Sequence, residues 1–172
     1  GKTTQLLKSY LQKHQSNSAV VFLGDNIYPH GMPDSNSSER ENAEKAITLA
    51  CEQADAIILD YTAGPIYMEG GQKGCHEWAI EFIKEPIDIQ IFARLLDDNL
   101  KQLNSDYDAK RYQNMVLENL KIQSLPKGTF YEWMRRRGKL GGQNKVPRLS
   151  NNREYLEEIF ELVKELDSVN IE

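Results

Sequence analysis

The sequence predicts an α+β fold: a small mixed β-sheet with helices packed on it, preceded by a short helix–strand appendage. Three observations carry this. Ala56-Ile57-Ile58-Leu59-Asp60-Tyr61 is a short apolar run of the kind a buried strand requires. From His76 to Phe82, Trp78, Ile80 and Phe82 alternate with Glu77, Ala79 and Glu81, the period of a half-buried strand. Later, Ile89, Phe92, Ala93, Leu96, Leu100 and Leu103 recur at helical spacing, as do Tyr155, Leu156, Ile159, Phe160, Val163 and Leu166. Strands and helices mixed in this order imply helices packed on one face of the sheet.

The elements follow in order. Thr3 to His14 predicts a helix with Leu6, Leu7, Tyr10 and Leu11 on one face, and Ala19 to Leu23 a buried strand. Gly24 to Ser38 is rich in Gly, Pro, Asn, Asp and Ser and predicts a loop. A helix from about Glu39 to Gln53 places Ala43, Ala46, Ile47 and Ala50 together. After the strand ending near Tyr61, the glycines at 70, 71 and 74 turn the chain into the strand from His76 to Phe82. Pro86 suits the first turn of the next helix. That helix breaks near Asn104, and a short one follows around Ala109 to Met115. Lys121 to Leu125 predicts a third strand and Thr129 to Arg137 a short helix. Gly138 to Arg148 is a glycine-containing basic loop, and Asn151 with Glu154 three residues on resembles a capping box for the last helix. No internal repeat is present.

Composition narrows the class. The 172 residues suffice for one domain, or one small domain with an appendage. Apolar residues at 40% and charged residues at 27% are the balance of a soluble globular protein. No apolar run approaches the ~20 residues that span a bilayer, and no basic region followed by an apolar stretch opens the chain. The expectation is a cytoplasmic protein in which Cys51 and Cys75 are reduced, structural thiols. Gly1 stands where an initiator Met would, from which a longer reading frame is expected. A net charge of −5 and a pI near 5.3 argue against nucleic acid or an anionic membrane as partners. The distribution says more. Lys127 to Arg153 holds eight Lys or Arg against one acid, Glu132, a local balance of +7 that leaves −12 for the rest. Such a patch is either a compact anion site or a solvated basic face.

Three stretches have a more specific look. They are His76-Glu77-Trp78-Ala79-Ile80-Glu81-Phe82, the run from Leu103 through Asn104-Ser105-Asp106-Tyr107 to Tyr112, and Gly128-Thr129-Phe130-Tyr131-Glu132-Trp133 continuing through Gly141-Gly142-Gln143-Asn144-Lys145-Val146-Pro147-Arg148. Together, from about Glu41 to Leu166, they resemble the C-terminal domain of the auxin-responsive acyl-acid amido synthetases (Gretchen Hagen 3), in the form found in bacteria. The resemblance implies a mobile lid over a large N-terminal domain. Such enzymes activate a carboxylic acid with ATP and pass the acyl group to an amine, commonly that of an amino acid. It also implies ATP and Mg²⁺, bound chiefly by the larger domain, and small-molecule partners.

Within that resemblance, Lys145 matches the lysine of the family's Gln-x-Lys-x-Pro-Arg pattern. Carboxylate attack on the α-phosphate brings two anions together, and a positioned cation offsets their repulsion. The alternative for Lys145 is an exposed surface lysine. Arg148 completes the pattern and either holds phosphate or anchors the loop, while Gly141, Gly142 and Gln143 would bring backbone close to the nucleotide. Asn104, Ser105 and Tyr107 are expected at helix ends and in packing. Arg135-Arg136-Arg137 is expected to be a solvated face rather than a phosphate clamp.

The first forty residues differ. Ser18 to Pro33, with Gly24-Asp25-Asn26 after an apolar run, resembles a fragment of the calcineurin-like metallophosphoesterases. That resemblance implies Asp25 as a ligand bridging two metal ions. The other ligands are missing: the chain has only His14, His30 and His76, without Gly-Asn-His or His-x-His. Asp25 is therefore expected to be vestigial. Gly1-Lys2-Thr3-Thr4 copies the end of a P-loop without its earlier glycines or strand, and coincidence explains it. Two units are expected, 1–40 and 41–172, joined between about Ser35 and Glu41 by gene fusion, assembly error or artificial joining. Alone, the chain is expected to be inactive. The other functional classes are a metal-dependent phosphoesterase fragment and a non-catalytic remnant that binds a protein partner.

Overall fold

The computed structural model describes residues 38–67, 73–112, 117–141 and 144–169. The expected helix and strand before residue 38, and Asp25 with them, lie outside the described residues. In chain order the elements are α1 (Ser38–Gln53), β1 (Ile57–Ile66), β2 (Cys75–Lys84), α2 (Ile89–Leu103), α3 (Ser105–Arg111), β3 (Lys121–Leu125), α4 (Thr129–Arg136) and α5 (Glu154–Val169). None of these helices is long and apolar enough to cross a membrane. The α+β class with a small mixed sheet is as expected: β2 is central, antiparallel to β1 and parallel to β3.

Helices cover both faces of the sheet, not one. Trp78, Ile80 and Phe82 pack with Tyr61 and Ala63 against Ala43, Ala46, Ile47 and Ala50 of α1 and Phe92, Leu96 and Leu100 of α2. On the opposite face Ala79 and Leu125 meet Phe130, Trp133 and Met134 of α4 and Leu156, Ile159 and Leu162 of α5. Consequently β2 is buried through Phe82 on both sides, rather than half-buried. The alternation was misleading because Glu77 and Glu81 are polar residues with internal partners. Glu77 accepts from Gln123 Nε2 at 3.0 Å and Arg153 Nη2 at 2.8 Å. Glu81 accepts from the backbone N–H groups of Gly128 at 2.5 Å and Phe130 at 3.0 Å. It thereby caps α4, which has no side-chain cap from its own sequence. A buried carboxylate satisfied by backbone donors looks like a solvent residue in sequence and behaves as a core residue.

β1 runs five residues past the expected end, through Thr62-Ala63-Gly64-Pro65-Ile66. Gly and Pro signal a break, yet Pro65 is tolerated near the end of a strand whose outer side is largely free of a ladder. Gly64 is required by close approach: a Cβ there would lie 2.9 Å from the Asn152 carbonyl oxygen and 3.0 Å from Leu156 Cδ1. Helix starts also shift. Asp88, not Pro86, opens α2, accepting from Gln90 N at 2.7 Å and Ile91 N at 3.1 Å. Asn104 ends α2 by donating its N–H to Leu100 O at 2.9 Å and caps α3 through Asp106 N and Tyr107 N, each at 3.0 Å. That double role starts α3 four residues before the expected Ala109. At α5 it is Asn152, not Asn151, whose side chain accepts from Glu154 N, at 3.1 Å, and the helix begins at Glu154 itself.

One polar network ties α2 to α3. Buried Arg111 donates to both oxygens of buried Asp97 at 2.8 Å and to Leu117 O at 2.8 Å. Tyr107 Oη and Lys101 Nζ complete the shell of Asp97 at 2.5 and 2.6 Å. Burial alone would raise the Asp97 pKa, but hydrogen bonds from Arg111, Lys101 and Tyr107 outweigh it and hold the carboxyl below its ordinary value. Tyr107 also faces His76, ring centroids 5.1 Å apart.

Candidate functional site

The basic loop begins where α4 stops. Gly138, at φ +66°, donates to Arg135 O at 3.0 Å, and Lys139 N donates to Met134 O at 2.9 Å, the paired bonds of a Schellman ending. Gly141 follows, exposed and at φ +79°, with Asn144 Nδ2 donating to its carbonyl at 3.3 Å. Gly142 and Gln143 lie outside the described residues. From Asn144 to Ser150 the chain forms a strap along the outer edge of β1. Ala63 N donates to Arg148 O at 3.0 Å, Ser150 N donates to Ala63 O at 2.8 Å, and Leu149 pairs with Ala63 in parallel. Val146 and Leu149 are buried, Val146 in the core under α4 and α5 and Leu149 in the core under α1 and α2.

Lys145, just before Val146, is exposed. Arg148 is held on β1: its Nη1 pairs with Asp60 Oδ1, and its guanidinium lies 4.5 Å from the Tyr61 ring centroid. Between the two roles open to Arg148, its contacts here are those of an anchor. Burial lowers its pKa, against Glu44 of α1 which raises it, and the guanidinium stays charged at neutral pH.

Half of the segment's eight cations are answered by acids from elsewhere in the fold. Arg135 pairs with Glu132 at 2.7 Å, and Arg136 with Glu132 at 3.0 Å and Glu165 at 2.6 Å. Arg137 pairs with Glu158 at 2.5 Å and stacks 4.9 Å from the rings of both Trp133 and Tyr155. Arg153 joins Glu77 at 2.8 Å and donates to Pro65 O at 2.9 Å. The arginine triplet is thus an ion-paired face with one aromatic stack, neither bare nor a phosphate clamp. Among the described residues Lys127, Lys139 and Lys145 make no ion pair, and two of these bracket Gly141. The residues that hold the strap, Asp60, Tyr61 and Ala63, escape a motif reading. The one available signal was Asp60 itself, an acid inside an otherwise apolar strand run.

The donor set suits the phosphate end of a nucleotide. Among the described residues Lys139 and Lys145 are cations without an ion pair, on a loop where a Cβ at Gly141 would meet nothing within 4 Å. A divalent cation finds less here, since no group of three or more His, Cys, Asp or Glu is arranged for a metal among the described residues.

Comparison with known proteins supplies the family. The GH3 family C-terminal domain matches residues 41–154. Two solved structures share the fold: AtGH3.15 acyl acid amido synthetase in complex with 2,4-DB, with TM-score 0.57 and 21% identity over 76% of this chain and 25% of that one, and GH3.15 acyl acid amido synthetase, with TM-score 0.57 and 21% identity over 77% and 26%. The chain spans about a quarter of the length of these structures. No curated protein matches. The family match covers well over half of the 172 residues, through the strap and up to the first residue of α5, and the chain belongs to the GH3 family by its C-terminal domain.

Proposed function

We propose that this chain is the C-terminal lid of an ATP-dependent acyl-acid amido synthetase and presents Lys145 to the reacting phosphate. The observation that carries the reading is the contrast within the Lys145–Arg148 pattern: Arg148 is tied down on β1, while Lys145 is exposed and makes no ion pair among the described residues. A cation held on a fixed strap, with its charge unspent, suits stabilisation of charge that develops only during reaction. ATP, when bound, would supply the adenylyl group that activates the carboxylate, with pyrophosphate as the leaving group. Lys145 would meet its anionic oxygens, Lys139 would add to the local field, and Arg148 would keep the strap in register. Mg²⁺, the carboxylic acid and the accepting amino acid would be held mainly by a larger domain, in a cytoplasmic enzyme.

The test uses the chain as it is. Pyrophosphate titrated into isotope-labelled protein should perturb signals from Gly141 to Arg148 ahead of other basic residues, and Lys145→Ala should remove most of that response. The effect should weaken with salt, because exposed charges are screened beyond ~8 Å at physiological ionic strength. ATP–pyrophosphate exchange should be absent with this chain alone, because electrostatic activation needs both walls of a closed site. Shifts spread evenly over all lysines and arginines, or robust exchange by the pure chain, would refute the reading.

A further inference from the structure

We propose that Asp60 is the positioning residue for Lys145, acting through Arg148; this rests on the reading of Lys145 as the cation of the site. The argument begins in β1. Its ladder with β2 steps from Ile57↔Lys84 to Ile58↔Phe82 to Asp60↔Glu81, leaving Leu59 of β1 and Ile83 of β2 without partners before the pairing resumes in its earlier register. Beside this irregularity, the Asp60 carboxylate meets the guanidinium of Arg148. Asp60 Oδ1 also accepts from Tyr61 N at 2.9 Å, so the carboxylate is pinned by its own backbone and does not swing freely. Tyr61 then supports the guanidinium with its ring, centroid at 4.5 Å. One short stretch of β1 therefore provides charge, orientation and a packing surface for a single arginine.

Arg148 needs this support because the strap's backbone is lightly held. Among the described residues its ladder to β1 consists of the two hydrogen bonds made by Ala63, to Arg148 O and from Ser150 N. A one-residue slip of an extended segment turns its side chains to the opposite face. Here a slip would exchange buried Val146 with exposed Lys145. The Asp60–Arg148 pair opposes that slip from the side-chain level. Only Val146 and Pro147 separate Arg148 from Lys145, one buried and the other fixed in φ, so the register set at Arg148 is transmitted to Lys145.

The test is Asp60→Asn, which keeps the size and an acceptor for Tyr61 N–H and removes the charge. Hydrogen exchange at the Ala63 and Ser150 amides reports the strap directly. It should quicken by about fivefold, the loss expected of a part-exposed ion pair. Pyrophosphate should bind the variant more weakly by a similar factor with the response at Lys145 reduced, while the urea midpoint of the whole domain stays within error. Asp60→Glu, which keeps the charge, should restore the pyrophosphate response. If Asp60→Asn lowers the global midpoint, Arg148→Gln removes the pair from the strap side and is scored in the same way. Absence of any pyrophosphate response in the unaltered chain would sink the role of Lys145, and the exchange rates would then decide the role of Asp60 alone. Unchanged exchange at Ala63 and Ser150 in the charge-neutral variant would overturn the proposal.

Discussion

His76 offers a quantitative test of how this core is built. The imidazole is buried on β2 against Tyr107, and its Nε2 has no hydrogen-bond partner among the described residues. Burial first, and the Lys110 cation second, lower its pKa from 6.5 to about 4; Arg111 acts in the same sense, and Asp97 opposes them. Below pH 6.5 the unfolded chain takes up a proton that the folded chain refuses until about pH 4. The unfolded state therefore binds more protons across that window, and stability falls as pH falls. The contribution is fully present above pH 6.5 and lost progressively down to about pH 4. A gap of about 2.5 pH units corresponds to about 3 kcal/mol in all, of which about 2 kcal/mol is gone by pH 5. Urea unfolding of the chain and of His76→Phe at pH 7.5 and pH 5 checks this. Carboxylates titrate in both proteins, so the difference between their two pH dependences isolates His76. The phenylalanine variant should retain about 2 kcal/mol more of its neutral-pH stability at pH 5. Parallel losses in the two proteins would mean that the imidazole is charged or solvated in the fold, and the reasoning would fail.

Three further outcomes follow from packing and buried polar groups. Gly64→Ala should cost about 1–3 kcal/mol in urea unfolding, because the new methyl group meets a backbone carbonyl of the turn before α5 that cannot simply rotate away. Arg111→Met should cost about 3–5 kcal/mol, since it leaves the buried Asp97 carboxylate short of its bidentate partner and Leu117 O without its donor; a loss under 1 kcal/mol would show that Asp97 reaches water. Glu81→Gln should cost about 1–3 kcal/mol, with hydrogen-exchange protection falling first at Gly128 and Phe130, because the amide cannot accept from both N–H groups.

Most of the fold was legible where one local rule decided the outcome. The apolar stripes of α1, α2 and α5 rest on periodicity, and the structure follows them; β3 falls at the expected Lys121–Leu125. Departures occur where a long-range partner overrides a local signal. β1 continues through Gly64 and Pro65 because β2 pairs with it and α5 presses on it. β2 is sheltered on both faces because Arg153 and the start of α4 seek out its two glutamates. No periodicity rule sees that, since an internally satisfied carboxylate and a solvated one are the same letter. The start of α3 was legible in principle: an asparagine can both close one helix and open the next, and Asn104 does.

The candidate site divides along the same line. Lys145 and Arg148 stand out in sequence by motif, but what separates their roles is position in the fold. The sequence count of +7 between Lys127 and Arg153 treats all eight cations alike. Folding does not. Glu158 and Glu165 reach Arg137 and Arg136 across 21 and 29 residues, Glu77 reaches Arg153 across 76, and Asp60 reaches Arg148 across 88. Each of these acids was counted in the −12 assigned to the rest of the chain, so the apparent segregation of charge is largely an artefact of reading along the chain. Among the described residues the segment's cations without an ion pair are lysines, and an ammonium on a flexible stem acts as a point charge rather than a planar fork. The arginines hold the scaffold in register through bidentate, stacked or paired contacts. The three lysines of the segment make no ion pair among the described residues. A division of labour by residue type, visible only after folding, leaves the strap fixed through Arg148 while Lys145 stays exposed.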